Sequence, residues 1–215
     1  MGLYLLSSPL LTAFLIAAFF QDTHVRSFVL PAIRGIVSGL ILLPVTLLVN
    51  QAIPLVFSGW SLWVRISILE FLVPGLLGTL AFVLWDLRKG HTDDRGSVVA
   101  ASAFLGGFLF VDILVRVIGT RSILDGYELF LLPMARSVII GYIPLLVACW
   151  AREAKPLRFG YLVLLFLLPW ILSVAGTLHE LKFVPVAHLL GIFLFVAGVT
   201  GYWFLRMIYL PGQGL

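Results

Sequence analysis

The sequence predicts an all-α membrane protein, a polytopic helix bundle of about seven transmembrane helices that occupies residues 1–215 as a single integral membrane domain. Hydrophobic residues make up 61% of the 215 positions and charged residues only 11%. A soluble domain has about 25% charged residues. Apolar runs of about 18 or more residues, long enough to cross a bilayer, recur along the chain. The polar connections between them are too short to hold a soluble domain.

The apolar runs predict spans at residues 3–20, 28–49, 61–85, 98–118, 134–151, 159–177 and 183–206. The first run has no Lys or Arg before it and no small-residue cleavage site, so we interpret it as a retained helix rather than a signal peptide. Six spans is the alternative, if the first run lies in the interface or the last two form one re-entrant unit. Residues 121–133 are too short and too charged to span, which predicts an amphipathic segment on the outer face.

Small residues recur four positions apart in four of the spans, a spacing that lets helix backbones approach closely. This pattern indicates a compact bundle or, alternatively, a face that docks on a partner subunit. Prolines inside four spans each remove a backbone hydrogen bond and predict a kink. The small pairs are Ala13/Ala17, Gly35/Gly39, Ala103/Gly107 and Ala197/Gly201, and the prolines are Pro44, Pro74, Pro144 and Pro169.

Basic residues are concentrated in the odd-numbered connections and the C-terminal tail. The fifth connection places Arg152, Lys155 and Arg158 close together, whereas the second connection carries no charge. By the positive-inside rule, the N-terminus lies outside and the C-terminus in the cytoplasm. We therefore predict a multi-pass protein of a bacterial or archaeal cytoplasmic (inner) membrane. This orientation accounts for the net charge of +4, and nucleic acid is not an expected partner.

Charged residues inside the spans form the first candidate site. Asp112 and Arg116 are four residues apart, so they share a helix face, with the acid before the base in the more favourable order. The third and fourth spans form a hairpin centred near residue 91, and Glu70 and Asp112 each lie 21 positions from that centre. Arg65 and Arg116 correspond in the same way within one residue. The sequence therefore predicts two carboxylates at one depth, with two arginines nearer the outer surface.

Two carboxylates that face each other in a low dielectric share a proton unless nearby arginines compensate their charge. The cluster is either a structural network that pins the hairpin or a site for a substrate, a proton or a partner's charge. A second candidate site lies on the outer face, above the deep carboxylates. Its histidines are interpreted as interfacial residues, with a proton relay or a metal pair as the alternative. Their spacing is not a recognised metal-ligand spacing, so no metal site is predicted. The outer-face residues are Arg121, Asp125, Glu128, Arg136, His179, Glu180 and His188.

The sequence contains no GxSxG, HExxH, P-loop or GxGxxG motif. Its single cysteine excludes an intrachain disulfide and a cysteine zinc cluster, and no cofactor is expected. We predict a non-enzymatic, membrane-embedded subunit of a transporter or of a larger inner-membrane or envelope complex, in contact with lipids and other subunits. One alternative is an enzyme for a lipid or lipid-linked substrate, with Glu70 or Asp112 as acid–base and Arg65, Arg116 and Arg136 holding a phosphate. A membrane sensor module is the other.

Overall fold

The computed structural model describes residues 5–19, 25–56, 59, 61–86, 94–119, 125–152 and 155–209, and these contain helices but no strand. The all-helical bundle predicted from composition is therefore confirmed. Seven helices are present in the described part of the chain. They are α1 (Ser8–Phe19), α2 (Val25–Val56), α3 (Leu62–Ile66, Ser67–Leu72 and Val73–Asp86), α4 (Asp94–Gly119), α5 (Tyr127–Leu131 and Leu132–Arg152), α6 (Lys155–Glu180) and α7 (Val184–Tyr209).

Five of these helices are long and apolar enough to cross a membrane, which makes the chain a multi-pass membrane protein in contact with lipid. The five segments are Arg26–Ile53, Leu62–Trp85, Val98–Ile118, Tyr127–Val147 and Leu162–Glu180. The other two helices contain shorter apolar stretches, Ser8–Ala18 in α1 and Val184–Thr200 in α7. The predicted spans lie within a few residues of these helices, with two exceptions: α2 continues to Val56, beyond the predicted 49, and α5 begins before the predicted 134.

Residues 127–133 are the part of the sequence interpretation that the structure corrects. They do not form a separate amphipathic segment, because Tyr127 begins α5 and the apolar segment continues to Val147. Tyr127, Leu131 and Leu132 are buried together against Ala175 and Ala187. The acidic residues of this stretch suggested a surface segment, but its apolar residues lie at helical spacing and face the bundle interior. The helix α5 therefore starts seven residues earlier than the predicted 134.

Consecutive helices along the chain alternate in direction. Ser8 bonds Ser137 and Ile16 approaches Gly141, so α1 and α5 run the same way. Equivalent contacts make α3 and α7 parallel to α5, whereas α2, α4 and α6 run in the opposite direction. The first residues of α1, α3, α5 and α7 therefore lie at one end of the bundle, which we call the Tyr127 end.

The centre of the bundle is α4, which packs against α1, α2, α3 and α5. A Cβ atom added to Gly35 would collide with the Phe104 carbonyl oxygen, and one added to Gly107 would collide with the Ala32 carbonyl oxygen. The predicted close approach of backbones at small residues is therefore confirmed where α2 crosses α4. Ala197, in contrast, lies on an exposed face, so the fourth small pair does not mark a helix contact within the described side chains.

Replacing Gly35 with alanine tests this crossing. The new methyl group would overlap the backbone of α4, which cannot move aside as a flexible side chain can. We expect a loss of about 1–3 kcal/mol in unfolding free energy, the usual range for overpacking. Gly160→Ala is the matched control, because nothing lies within 4 Å of its added Cβ. Thermal unfolding of the purified protein should show a lower midpoint for Gly35→Ala only, and equal midpoints would contradict the packing.

Candidate functional site

A buried ionic cluster joins α3, α4 and α5, and we call its four members the ionic quartet: Glu70, Asp112, Arg116 and Arg136. Arg116 donates from Nη1 to Glu70 Oε1 at 2.6 Å and from Nε to Asp112 Oδ2 at 3.2 Å. Arg136 donates from Nη2 to Glu70 Oε2 at 3.1 Å and from Nη1 to Asp112 Oδ2. Each arginine therefore binds both carboxylates, so the four charged groups form a closed ring of ion pairs.

Glu70 occupies a widened turn in the middle of α3. Residues Ser67–Leu72 are π-helical, and the turn closes with the Val73 N–H donating to the Ile68 carbonyl, five residues back. Such turns are rare and are found mostly as single insertions within α-helices, frequently at functional sites. Pro74 follows directly and has no N–H to donate. The backbone of α3 is therefore short of donors where Glu70 points toward its partners.

The two arginines supply donors that this backbone lacks. The missing N–H of Pro74 would have bonded to the Glu70 carbonyl in an α-helix or to the Leu69 carbonyl in a π-helix. Arg136 Nε donates to the Glu70 carbonyl at 2.9 Å, and Arg116 Nη2 donates to the Leu69 carbonyl at 3.2 Å. The quartet thus binds the side chain of Glu70 and also stabilises the irregular backbone that carries it.

Burial is uneven across the quartet. The side chain of Arg136 is completely buried and that of Asp112 is 7% exposed, whereas Glu70 and Arg116 are 15% and 19% exposed. Asn50 of α2 extends the cluster on the more open side, since its Oδ1 accepts from Arg116 Nη2 at 3.4 Å. The quartet is therefore closed toward α5 and reaches accessible space where α2, α3 and α4 meet.

The quartet is balanced in charge and nearly saturated in hydrogen bonds. Its two carboxylates face two guanidinium groups, which supply the compensation that facing carboxylates need to stay ionised together. A guanidinium has five N–H donors. Arg116 makes four hydrogen bonds and Arg136 makes three, all within the protein. Three of the ten guanidinium donors make none of these bonds, so the geometry favours pairing within the quartet over the binding of an external anion.

The structure rearranges the two candidate sets. It brings Glu70, Asp112 and Arg116 together, as their positions in the hairpin predict. Arg136, predicted for the outer face, lies in the quartet, because α5 begins at Tyr127 and carries Arg136 more than two turns into the bundle. Arg65 makes no ion pair with the described acidic residues. The depth of Arg136 would have followed from the sequence had the start of α5 been placed correctly.

The remaining outer-face residues lie at the Tyr127 end and form a second, looser group. His179 and His188 approach edge to face with ring centroids 6.1 Å apart, and Phe130 lies 6.2 Å from His188. Asp125 Oδ1 accepts the backbone N–H of Glu128 at 3.0 Å. The group is completed by Glu180, which is exposed, whereas Arg121 lies outside the described residues. Among the described residues, no three His, Cys, Asp or Glu side chains are placed to hold a metal ion.

Tyr127, which the sequence interpretation left out of both sets, connects this outer group to the quartet. Its ring stacks on His179 with centroids 5.2 Å apart. Its hydroxyl lies in the electrostatic field of Glu70, Arg136 and Arg116. The Tyr127 hydroxyl and His179 Nδ1 are both buried and have no hydrogen-bond partner in the described part of the chain. Only the position of Tyr127 at the start of a membrane helix could have indicated this role.

Two clefts between helices are apolar and separate from the quartet. The first, about 70 Å³, lies between α3, α5 and α6 and is lined by residues such as Phe71, Ile139 and Leu168. The second, about 60 Å³, lies between α1, α5 and α7 next to Ile16 and Phe195. No quartet residue lines either cleft, so neither brings an acyl chain or other apolar group against the carboxylates.

Comparison with protein-family models, with curated proteins and with solved structures finds no match for this chain. The chemistry open to the site follows from its own geometry. The quartet has no net charge, and its members bond to one another inside the bundle. The group at the Tyr127 end contains histidine and aromatic rings, and two of its buried polar atoms, the Tyr127 hydroxyl oxygen and His179 Nδ1, have no partner among the described residues.

Tyr127→Phe is expected to stabilise the protein. A buried hydroxyl without a partner costs about 1–3 kcal/mol, and phenylalanine keeps the ring contact with His179. The unfolding midpoint in detergent should rise, while Tyr142→Phe, at a partly exposed ring, should change the unfolding free energy by less than about 0.5 kcal/mol. A fall in the midpoint for Tyr127→Phe would show that the hydroxyl is bonded in the working protein.

Proposed function

We propose that this protein is a non-enzymatic, membrane-embedded subunit of a transporter or of a larger inner-membrane or envelope complex, in which the ionic quartet holds the helices in one arrangement. The observation that carries the proposal is the closure of the quartet. Both arginines are engaged with both carboxylates and with the backbone of α3. Groups bonded in this way position helices well and are poorly placed to take up and release a substrate.

The self-bonded quartet disfavours the enzymatic alternative. A lipid-linked phosphate would need free guanidinium donors, but Arg116 and Arg136 direct theirs to Glu70, Asp112 and backbone carbonyls. An acid–base group must reach the proton that it transfers, and neither apolar cleft reaches Glu70 or Asp112. The geometry therefore supports a positioning role for these carboxylates more than a chemical one.

The short connections between the helices support the proposal that this protein works together with another subunit. The connections between the helices are too short to hold a nucleotide-hydrolysing domain, which supports a supply of energy or signal through another subunit. The distribution of basic residues supports an N-terminus outside and a C-terminus in the cytoplasm, which would place the Tyr127 end outward. Labelling of a cysteine at Asp125 by an impermeant reagent on intact cells, in a Cys149→Ser background, tests that orientation, and protection of this cysteine would reverse it.

A neutral replacement of the whole quartet tests the proposal. The variant Glu70→Gln, Asp112→Asn, Arg116→Gln, Arg136→Gln removes all four charges together, so no charge of the quartet is left unpaired, and its amides can still form hydrogen bonds. We expect it to insert, to fold and to co-purify in mild detergent with the same protein subunits as the parent, because a structural clamp does not need to titrate. Co-purifying subunits are identified by mass spectrometry and their stoichiometry by light scattering.

The control is the single variant Arg136→Gln, which leaves two carboxylates facing one arginine and should destabilise the bundle by about 3–5 kcal/mol. If the neutral quartet folds with a parental midpoint but loses activity in cells while its subunits stay bound, the charges themselves act in function. That result would contradict the structural role. A parent protein that purifies alone, with no stoichiometric partner, would contradict the subunit assignment.

A further inference from the structure

Arg65 lies in a membrane-crossing segment but is not a member of the quartet. Its Nε is buried and has no hydrogen-bond partner among the described residues. None of the ion pairs in the described part of the chain includes it. Arg65 nevertheless lies within α3, close in sequence to Glu70 and inside the membrane-crossing segment Leu62–Trp85. An arginine in this position requires a partner, because an isolated charge in a bilayer costs from about 2.5 kcal/mol upward.

Counting charges shows the kind of partner that is missing. Glu70 and Asp112 balance Arg116 and Arg136, so the quartet has no net charge. Arg65 adds one positive charge to the same region of the membrane. It lies one turn before Leu69, whose carbonyl is bound by Arg116. No ion pair among the described residues includes Arg65, and a carboxylate of the quartet could serve it only by leaving an arginine unpaired, so we expect its partner to be an anion other than these carboxylates.

The position of Arg65 along α3 indicates where that anion lies. Ser61 caps the helix by accepting from the Val64 N–H, so Arg65 is about 6 Å from the helix start at 1.5 Å per residue. Trp63 stands beside it in sequence, 37% exposed, and its Nε1 donates to the Trp170 carbonyl at 2.7 Å. Partly exposed tryptophans are typical of the membrane–water interface. A long arginine side chain at this depth reaches the headgroup level.

We propose that Arg65 binds the phosphate of a membrane phospholipid at the end of the bundle where α3 begins. A guanidinium presents parallel N–H donors that match two phosphate oxygens. The acyl chains of the same lipid then lie along the exposed apolar residues of α3, among them Leu76 and Leu80. This inference goes beyond the proposed function, because it assigns a lipid site that exists whether or not the chain assembles with other subunits.

Native mass spectrometry of the purified protein in mild detergent, with added dioleoyl phosphatidylglycerol, tests the site. We expect Arg65→Gln to weaken the tightest bound lipid about tenfold, the effect of losing a charge-assisted hydrogen bond. Arg65→Lys keeps the positive charge but lacks the planar pair of donors, so its affinity for the lipid should lie between those of the parent and of Arg65→Gln. Lys182→Gln is the matched control, because it removes an exposed positive charge from the same end of the bundle and should leave binding unchanged.

Two further probes separate the possible sources of the anion. Dioleoylglycerol has the same chains without the phosphate, so the parent should retain it no better than Arg65→Gln does. Inorganic phosphate at millimolar concentration should not displace the phospholipid. Equal lipid retention by Arg65→Gln and the parent would overturn the proposal. Displacement by inorganic phosphate would assign the site to a free anion instead. Loss of a co-purified protein from Arg65→Gln, with lipid retention unchanged, would assign it to a partner's carboxylate.

Arg65→Gln is also expected to keep the unfolding midpoint of the parent in lipid-free detergent, because no protein partner is lost. With phosphatidylglycerol added, the parent midpoint should rise and the variant midpoint should not, since a ligand that binds only the folded state stabilises it. Equal rises in both proteins would contradict the site even if the mass spectra differ.

Discussion

The pairing of two arginines with two carboxylates is the constraint on which the arrangement of the central helices depends. In an apolar surrounding, any member of the ionic quartet left alone would cost several kcal/mol. Glu70, Asp112 and Arg136 belong to three different helices, so α3, α4 and α5 have to keep their present depth and rotation for every charge to be paired. Generic apolar packing does not specify helix register in this way, because one apolar contact replaces another at little cost.

The irregular backbone of α3 follows from the same constraint. Pro74 removes the donor that the carbonyls of Leu69 and Glu70 would have used, and the arginines of the quartet bind both carbonyls. A similar widened turn opens α5, where the Leu132 N–H donates to the Tyr127 carbonyl just before Pro133. These turns end within the sequences Phe-Leu-Val-Pro at 71–74 and Phe-Leu-Leu-Pro at 130–133. In each helix, a π-helical turn that contains a glutamate, Glu70 or Glu128, ends two positions before a proline.

Much of the fold could be predicted because apolar length and charge scarcity leave few alternatives to a bundle of membrane helices. The pairing of Glu70 with Asp112 could be predicted from depth, since antiparallel helices in a hairpin place residues equally far from the turn at the same level. Depth does not specify which way a side chain faces, however. Arg65 precedes the π-helical turn Ser67–Leu72 that carries Glu70, and this turn changes the rotation between the two side chains from that of a regular α-helix. Arg65 therefore matches Arg116 in depth but lies outside the quartet.

For Arg136 it was the depth in the bundle that the sequence interpretation placed wrongly, not the direction in which the side chain faces. Three acidic or basic residues at 121–128 made the start of α5 resemble a surface segment. The structure instead buries Tyr127 and Leu131 there, and this earlier start carries Arg136 into the core. The unsatisfied atoms of Tyr127 and His179 could not be predicted at all, because they depend on how two helices are rotated and not on which residues are polar.

A double-mutant cycle between Asp112 and Arg136 tests the quartet most directly. Unfolding free energies of the parent, Asp112→Asn, Arg136→Gln and the double variant are measured under the same detergent conditions. If the quartet acts as one unit, the double variant loses less stability than the sum of the two single losses, by about 1–3 kcal/mol. Additive losses, within about 0.5 kcal/mol, would show that these two residues are not coupled and would contradict the central role of the quartet in this bundle.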